Sequence, residues 1–131
     1  TLDKTLWYKP GQVIPAEHYT GYSGSINIAP TTDITGLLQI SGLGRSNAVE
    51  YQTELPEDGD YTIEIRYNSD ASSHLEFRLD GKEIGVSQLP NTYISWRNHK
   101  VTLTMPKGRH TLRISGTEDT QAKINWIRIT E

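Results

Sequence analysis

Arg45, Asn47, Ser72, Ser73, Asn91, Tyr93, Trp96, Asp119, Gln121 and Lys123 are the residues best suited to hold a small polar molecule. An aromatic platform ringed by amide, hydroxyl and charged groups fits a neutral polyol such as a sugar. The C–H face of the polyol packs on a ring while its hydroxyls take the hydrogen bonds. Two readings stay open for the rings: Tyr93 touches ligand or is a solvated loop residue, and Trp96 joins it or begins a strand and packs into the core.

The same stretches offer little for catalysis. Glycoside hydrolysis needs two carboxylates roughly 5 to 9.5 Å apart across a cleft. Here Asp70, Glu118 and Asp119 are available, all in loops too short to wall off a deep cleft. His18, His74, His99 and His110 lie far apart without metal-ligand spacing, and no Gly-x-Ser-x-Gly nucleophile turn is present. The glycine-rich run Ser41-Gly42-Leu43-Gly44-Arg45-Ser46-Asn47 is a loop and not a phosphate cradle, because no Gly-Lys-Ser follows and a strand comes next.

With 131 residues the chain fits one domain, residues 1–131, able to bury a core without staples. It has no cysteine, so disulfides, thiolate metal sites and cysteine nucleophiles are excluded. A net charge of -3 with scattered basic residues argues against nucleic acid. No apolar run approaches the roughly 20 residues of a membrane span, and no signal-peptide core is visible. Three Trp and seven Tyr against one Phe favour rings with a polar tip, a bias of binding surfaces that a β-sandwich core would also produce. The start at Thr1 suggests a segment excised from something longer.

The elements that position these residues are strands. In Gly59 to Asn68, Tyr61, Ile63, Ile65 and Tyr67 alternate with Thr62, Glu64, Arg66 and Asn68, the period of two of a half-buried antiparallel strand. His74 to Leu79 alternates likewise and ends in Asp80-Gly81, a tight-hairpin dipeptide. Further strands are expected at Gln12 to Tyr19, where Pro15 restricts it to an edge, then Ser25 to Ala29, Gly36 to Ile40 and Ala48 to Glu54. Others follow at Glu83 to Gln88, Trp96 to Met105, Arg109 to Ser115 and Lys123 to Thr130. No stretch carries a helical period. The expected fold is all-β, an antiparallel sandwich or jelly roll.

If consecutive strands are antiparallel, loops fall alternately at two ends. Loops 41 to 47, 69 to 73, 89 to 95 and 116 to 122 share one end and carry the candidate residues; the tight turns 56 to 59, 80 to 82 and 106 to 108 share the other. The outward row Glu50, Gln52, Glu64, Arg66, His74, Glu76 and Arg78 reads either as a second binding surface on a sheet face or as a solvated charge carpet.

The order Ala16-Glu17-His18-Tyr19, Ser46-Asn47-Ala48-Val49-Glu50-Tyr51, Gly59-Asp60-Tyr61-Thr62, Phe77-Arg78-Leu79-Asp80-Gly81, Tyr93-Ile94-Ser95-Trp96, Gly108-Arg109-His110-Thr111-Leu112-Arg113 and Asn125-Trp126-Ile127 resembles family 6 carbohydrate-binding modules. The resemblance runs from about Val13 to Ile129. It implies a non-catalytic jelly roll attached to a secreted bacterial glycoside hydrolase. It also implies a sugar site in the end loops, a second on the concave sheet face, and a structural calcium near the first and last strands.

Several family positions are altered. An aromatic, a Trp and an Asn of the end-loop site correspond to Gly42 or Leu43, Tyr93 and Lys123, so one aromatic wall is missing. Lys123 could bond hydroxyls or meet an acidic or sulfated sugar. For calcium, the first Glu of the family pair is Pro15, leaving Glu17 and Asn125, with backbone carbonyls completing the flexible oxygen shell of the ion. The expectation is a secreted, monomeric polysaccharide-binding module with Ca2+ as structural cofactor. Its ligand-binding residues are Tyr93, Trp96, Asn47, Asn91, Lys123 and Arg45, and its ligand a β-glucan such as laminarin, or a marine galactan. The rival reading is an adhesion or docking module that meets a protein or cell-surface glycan through the charged sheet face; a small hydrolase using Glu118 or Asp119 is the third.

Overall fold

The alternation seen in the sequence becomes burial in the computed structural model, which describes residues 7–33, 38–118 and 120–131. Eleven strands form: β1 (Val13–Pro15), β2 (Gly21–Ser23), β3 (Asn27–Pro30), β4 (Leu38–Ser41), β5 (Ala48–Leu55), β6 (Gly59–Asn68), β7 (Ser73–Leu79), β8 (Lys82–Leu89), β9 (Arg97–Met105), β10 (Gly108–Gly116) and β11 (Lys123–Thr130). Among the described residues there is no helix. One sheet has the order β2-β5-β10-β7-β8; the other runs β3-β4-β11-β6-β9, with β1 also on β11. Every strand pair is antiparallel.

The core lies between the two sheets because each strand gives it every second side chain. Tyr61, Ile63, Ile65 and Tyr67 of β6 meet Val49 and Tyr51 of β5, Leu75 and Phe77 of β7, and Leu112 and Ile114 of β10 in one cluster. Phe77 and Ile63 are wholly buried, and large-to-small changes at such positions cost about 3–5 kcal/mol for Phe. The turn between β7 and β8 takes the shape its dipeptide demands, with φ of 52° at Asp80 and 86° at Gly81.

Of the strand expected over Gln12 to Tyr19 only the short β1 forms; the chain then turns, and β2 begins beyond Tyr19 in the opposite sheet. Pro15 ends β1 opposite Trp126, and His18 N closes a turn on Pro15 O at 2.9 Å. Two buried phenols pin this turn: Tyr51 donates to Ala16 O at 2.7 Å and Tyr8 to His18 O at 2.8 Å. Burial pushes the Tyr51 hydroxyl well above the usual phenol range, so it remains a donor. The sequence pattern could not show the break, since a three-residue strand followed by a turn leaves no period to read.

The division of loops into two poles holds. Gly44 O accepts from Gly116 N at 3.2 Å and Leu43 O from Thr120 N at 3.0 Å, joining the β4–β5 and β10–β11 loops. Thr92 N donates to Ser69 O at 2.8 Å, joining the β8–β9 and β6–β7 loops. Opposite them, Lys107 N donates to Asp58 Oδ1 at 2.7 Å and His110 meets Asp80, drawing the short turns together.

Candidate functional site

At the loop pole the described residues present an exposed shelf. Tyr93 and Ile94 project from the β8–β9 loop, 79% and 77% exposed. Both sit at positive φ, 53° and 63°, which is costly for side chains that carry a Cβ and most so for β-branched Ile. Hydrogen bonds on every side hold the strained pair. Asn91 Oδ1 accepts from Tyr93 N at 2.7 Å, Ser95 N donates to Thr92 O at 3.1 Å, and Asn68 Nδ2 donates to Ile94 O at 2.9 Å. Thr92 is buried and locks the loop to its neighbour, its Oγ1 accepting from Ser69 N and donating to Ser69 O. The backbone that carries the two exposed side chains is thus pre-organised, which lowers the ordering cost of binding.

Lys123 begins β11 opposite Asn68 and is exposed. Trp96 lies one residue before β9, whose Arg97 pairs with Tyr67 on the other side of β6. Lys123 and Trp96 therefore flank β6 at its loop end, on strands about 10 Å apart by ordinary strand spacing. Trp96 is half-buried, and its Nε1 donates to Thr32 Oγ1 at 3.0 Å. Its indole nitrogen is committed, so the ring face is what it offers a ligand.

Asn47 and Arg45 serve the scaffold of the same pole. Asn47 Oδ1 accepts from Ser25 N at 3.0 Å and its Nδ2 donates to Gly42 O at 3.0 Å. The approach is close enough that a Cβ on Gly24, at φ 74°, would come within 2.0 Å of that carboxamide oxygen, so only glycine fits there. Arg45 Nε donates to Thr117 O at 3.0 Å while the residue stays exposed. Leu43, one of the two positions matched to the missing aromatic wall, is 1% exposed and belongs to the core.

Sequence reasoning missed Asp33. Its side chain is 3% exposed and accepts from Arg66 in two-pronged fashion, Nε to Oδ2 at 2.9 Å and Nη2 to Oδ1 at 3.2 Å. Asn125 Nδ2 donates to the same Oδ2 at 2.8 Å. Arg66 continues to Asn98 Oδ1 at 2.8 Å, Asn98 to Glu64 Oε2 at 2.9 Å, and Glu64 pairs with Arg128, whose guanidinium lies 5.5 Å from the Trp126 ring centre. Burial alone would raise the Glu64 carboxyl, but hydrogen bonds from Arg128 and Asn98 outweigh it and hold it below the usual range. This chain crosses the outer face of the β6 sheet and ties the segment carrying Thr32 and Asp33 onto it. Nothing in a single sequence links Asp33 to an arginine 33 positions on.

For a cation, Glu17 Oε1 is buried without a hydrogen-bond partner, the kind of atom a bound ion would satisfy. Asn125 is 2% exposed and its Nδ2 donates to Asp33, a bond that does not involve the carboxamide oxygen through which an Asn would hold calcium. Among the described residues no group of three or more His, Asp and Glu side chains could hold a metal.

The outward row does not form one surface. Glu50, Gln52, His74, Glu76 and Arg78 belong to the β5 sheet, whereas Glu64 and Arg66 lie on the opposite sheet. A period of two tells outward from inward but not which sheet is outward. On the β5 sheet Arg78 pairs with Glu76, and the edge strand β2 carries an exposed ring, Tyr22, 59% exposed and 5.5 Å from the Tyr19 ring centre. Of the carboxylates considered for hydrolysis, Asp70 and Glu118 are exposed, and Asp119 lies outside the described residues.

The sequence profile of the family described as carbohydrate binding module (family 6) matches residues 15–131. Curated protein sequences give no match. Among solved structures, a β-1,3-glucan-binding family 6 module from Bacillus halodurans superposes with a TM-score of 0.83 at 24% identity, covering 95% of this chain and 99% of that one. The module of a Cellvibrio mixtus lichenase in complex with cellotriose gives 0.81 at 26% identity, covering 93% and 98%. The C-terminal module of a marine laminarinase from Zobellia galactanivorans gives 0.80 at 24% identity, covering 92% and 98%. With the profile spanning most of its length, the chain belongs to the family 6 carbohydrate-binding modules, which bind sugars without transforming them.

Proposed function

We propose that the loop pole binds a β-glucan chain and thereby holds an appended glycoside hydrolase on its polysaccharide outside the cell. The observation that carries this reading is the Tyr93 ring, 79% exposed on a loop that hydrogen bonds fix in a strained conformation. An exposed ring on a fixed backbone leaves only its own two side-chain torsions to order, which suits the C–H face of a pyranose. Trp96 adds a second ring face, and Lys123 and Asn91 line the rim as polar partners. The similar structures support the glucan assignment, since one binds β-1,3-glucan and another holds cellotriose. Two of them come from a lichenase and a laminarinase, which supports a hydrolase as neighbour.

Open shelves desolvate few atoms, so binding per site is weak and gains from repeated contact along a polymer. A structural Ca2+ held by Glu17 and nearby backbone carbonyls would fix the β1 turn without touching sugar. The test is titration with laminarin and with a soluble galactan. Tyr93→Ala abolishes binding at the loop pole and leaves melting unchanged; full affinity in that variant discards the site.

A further inference from the structure

The opposite pole holds an open pocket of about 720 Å³ lined by residues 9–11, 54–56, 107–109 and 130–131. Its volume falls in the range of small-molecule sites. It is separate from the sugar shelf, because β6 runs from one pole to the other over ten residues, about 30 Å.

The walls are held in place by contacts of their own. Gly11 N donates to Ile129 O at 2.7 Å, and Lys9 N donates to Gln12 Oε1 at 2.8 Å. Lys107 N is fixed on Asp58, and the carbonyls of Pro106 and Lys107 are fixed on the His110 ring at 3.0 and 3.2 Å. Arg109 is restrained from two sides: its guanidinium lies 4.8 Å from the Trp7 ring centre and its Nε donates to Glu54 at 3.3 Å. A guanidinium steadied in this way keeps further N–H donors for another acceptor.

The lining divides by chemistry. Pro10 and Pro56 give C–H surface, Leu55 beneath them being 2% exposed, while the charged lining is Lys9, Lys107 and Arg109 with Glu54 and Glu131. Glu54 is already engaged by Arg109, and both lysines are exposed. With Arg109 and Glu54 offsetting each other, Lys9 and Lys107 face Glu131, an excess of one cation beside the proline surface. We infer that this pocket is a second ligand site and that it takes an anionic saccharide, a sugar unit carrying a carboxylate or sulfate. The ring packs on the proline surface, and the acid group meets the ammonium groups of Lys9 and Lys107.

The test follows backbone amide resonances of the whole chain during titration with oligogalacturonate and with a sulfated galactan oligosaccharide. Shifts are expected at residues 9 to 11, 54, 55, 107 to 109, 130 and 131. They should persist in Tyr93→Ala and weaken as salt rises. The double variant Lys9→Gln, Lys107→Gln should lower affinity for the anionic sugar roughly tenfold while laminarin binding at the loop pole stays intact. Shifts confined to the loop pole, or affinity unchanged in the double variant, overturn the site. An acidic peptide that produces the same shifts with higher affinity overturns the saccharide assignment. Failure of the shelf would appear as lost laminarin response in the unaltered chain, so the two outcomes are separable.

Discussion

Trp96 Nε1 donates to Thr32 Oγ1 at 3.0 Å, and the next residue, Asp33, is clamped by Arg66 and Asn125. The indole at the loop pole is thus oriented from the β3–β4 connection, which sequence order places far from it. Both residues of this hydrogen bond lie at the surface, so its loss can be read without loss of the fold.

Thr32→Val keeps the side-chain shape and removes the acceptor. Losing one hydrogen bond of about 1 kcal/mol leaves the ring free to sample other orientations and should lower laminarin affinity roughly fivefold. Melting should fall by no more than a few degrees, and Thr32→Ser should restore binding. Calorimetric titration decides the matter: wild-type affinity in Thr32→Val means that this contact does not position the ring.

Asp33→Asn keeps the shape of the clamp but removes its charge from beside Arg66. With Asp33 3% and Arg66 22% exposed, unpairing this ion pair should cost about 3 kcal/mol in urea unfolding. The paired change Asp33→Asn with Arg66→Met should cost less than the sum of the singles by at least about 1 kcal/mol. Additive losses would show that the two groups do not depend on each other.

Much of this architecture was legible because strand period is local. Tyr61 to Tyr67 and Val49 with Tyr51 read as inward and are inward, and the division of loops between poles followed from alternating strand direction alone. What was illegible is non-local. The outward row splits between two sheets, the first strand breaks at Ala16 and Glu17, and the Asp33 clamp joins β6 and β11 to a loop the sequence leaves featureless. The chemistry of Trp96 was undecidable for the same reason, since its orientation depends on Thr32, 64 positions away.

His110 Nδ1 and Asp80 Oδ2 lie 2.6 Å apart and tie two hairpin turns together, which makes stability depend on pH. Burial opposes a charged His110, yet its bonds to Asp80 and to the Lys107 and Pro106 carbonyls prevail and raise it above 6.5. Burial opposes a charged Asp80 too, but the Thr111 amide and His110 hold it below 3.8. The imidazolium contribution is complete below pH 6.5 and fades as pH rises through the raised value. That of Asp80 is present above pH 3.8 and fades as pH falls through the lowered value. His99, held below 6.5 by burial, acts with the opposite sign, since it favours the folded state more as pH rises past its range. The comparison with His110→Gln isolates the pair: between pH 5.5 and 8.5 the unaltered chain should lose more stability than the variant. Parallel pH profiles would rule the contact out as a source of stability.

Tyr51→Phe tests the pin on the β1 turn. The phenol is fully buried, and its loss leaves Ala16 O without the donor 2.7 Å away, a cost of roughly 1–2 kcal/mol. The midpoint of thermal unfolding should fall by several degrees while laminarin binding at the far shelf is unchanged. Equal midpoints would mean that water or a neighbouring group replaces the hydroxyl.

Glu17 Oε1, buried and without a hydrogen-bond partner, is the strongest reason to expect a cation at the β1 turn. A lone buried carboxylate oxygen is destabilising, and an ion that binds the folded state alone adds RT ln(1 + [L]/Kd), about 2.7 kcal/mol at a hundredfold excess over Kd. Calcium should therefore raise the melting midpoint of the unaltered chain by several degrees over a chelator-treated sample. In Glu17→Gln the calcium response should vanish. That variant in chelator should be no less stable than the unaltered chain in chelator, because it has shed an uncompensated charge. Identical midpoints with calcium and with chelator would remove the ion from this protein and leave the Glu17 oxygen to water.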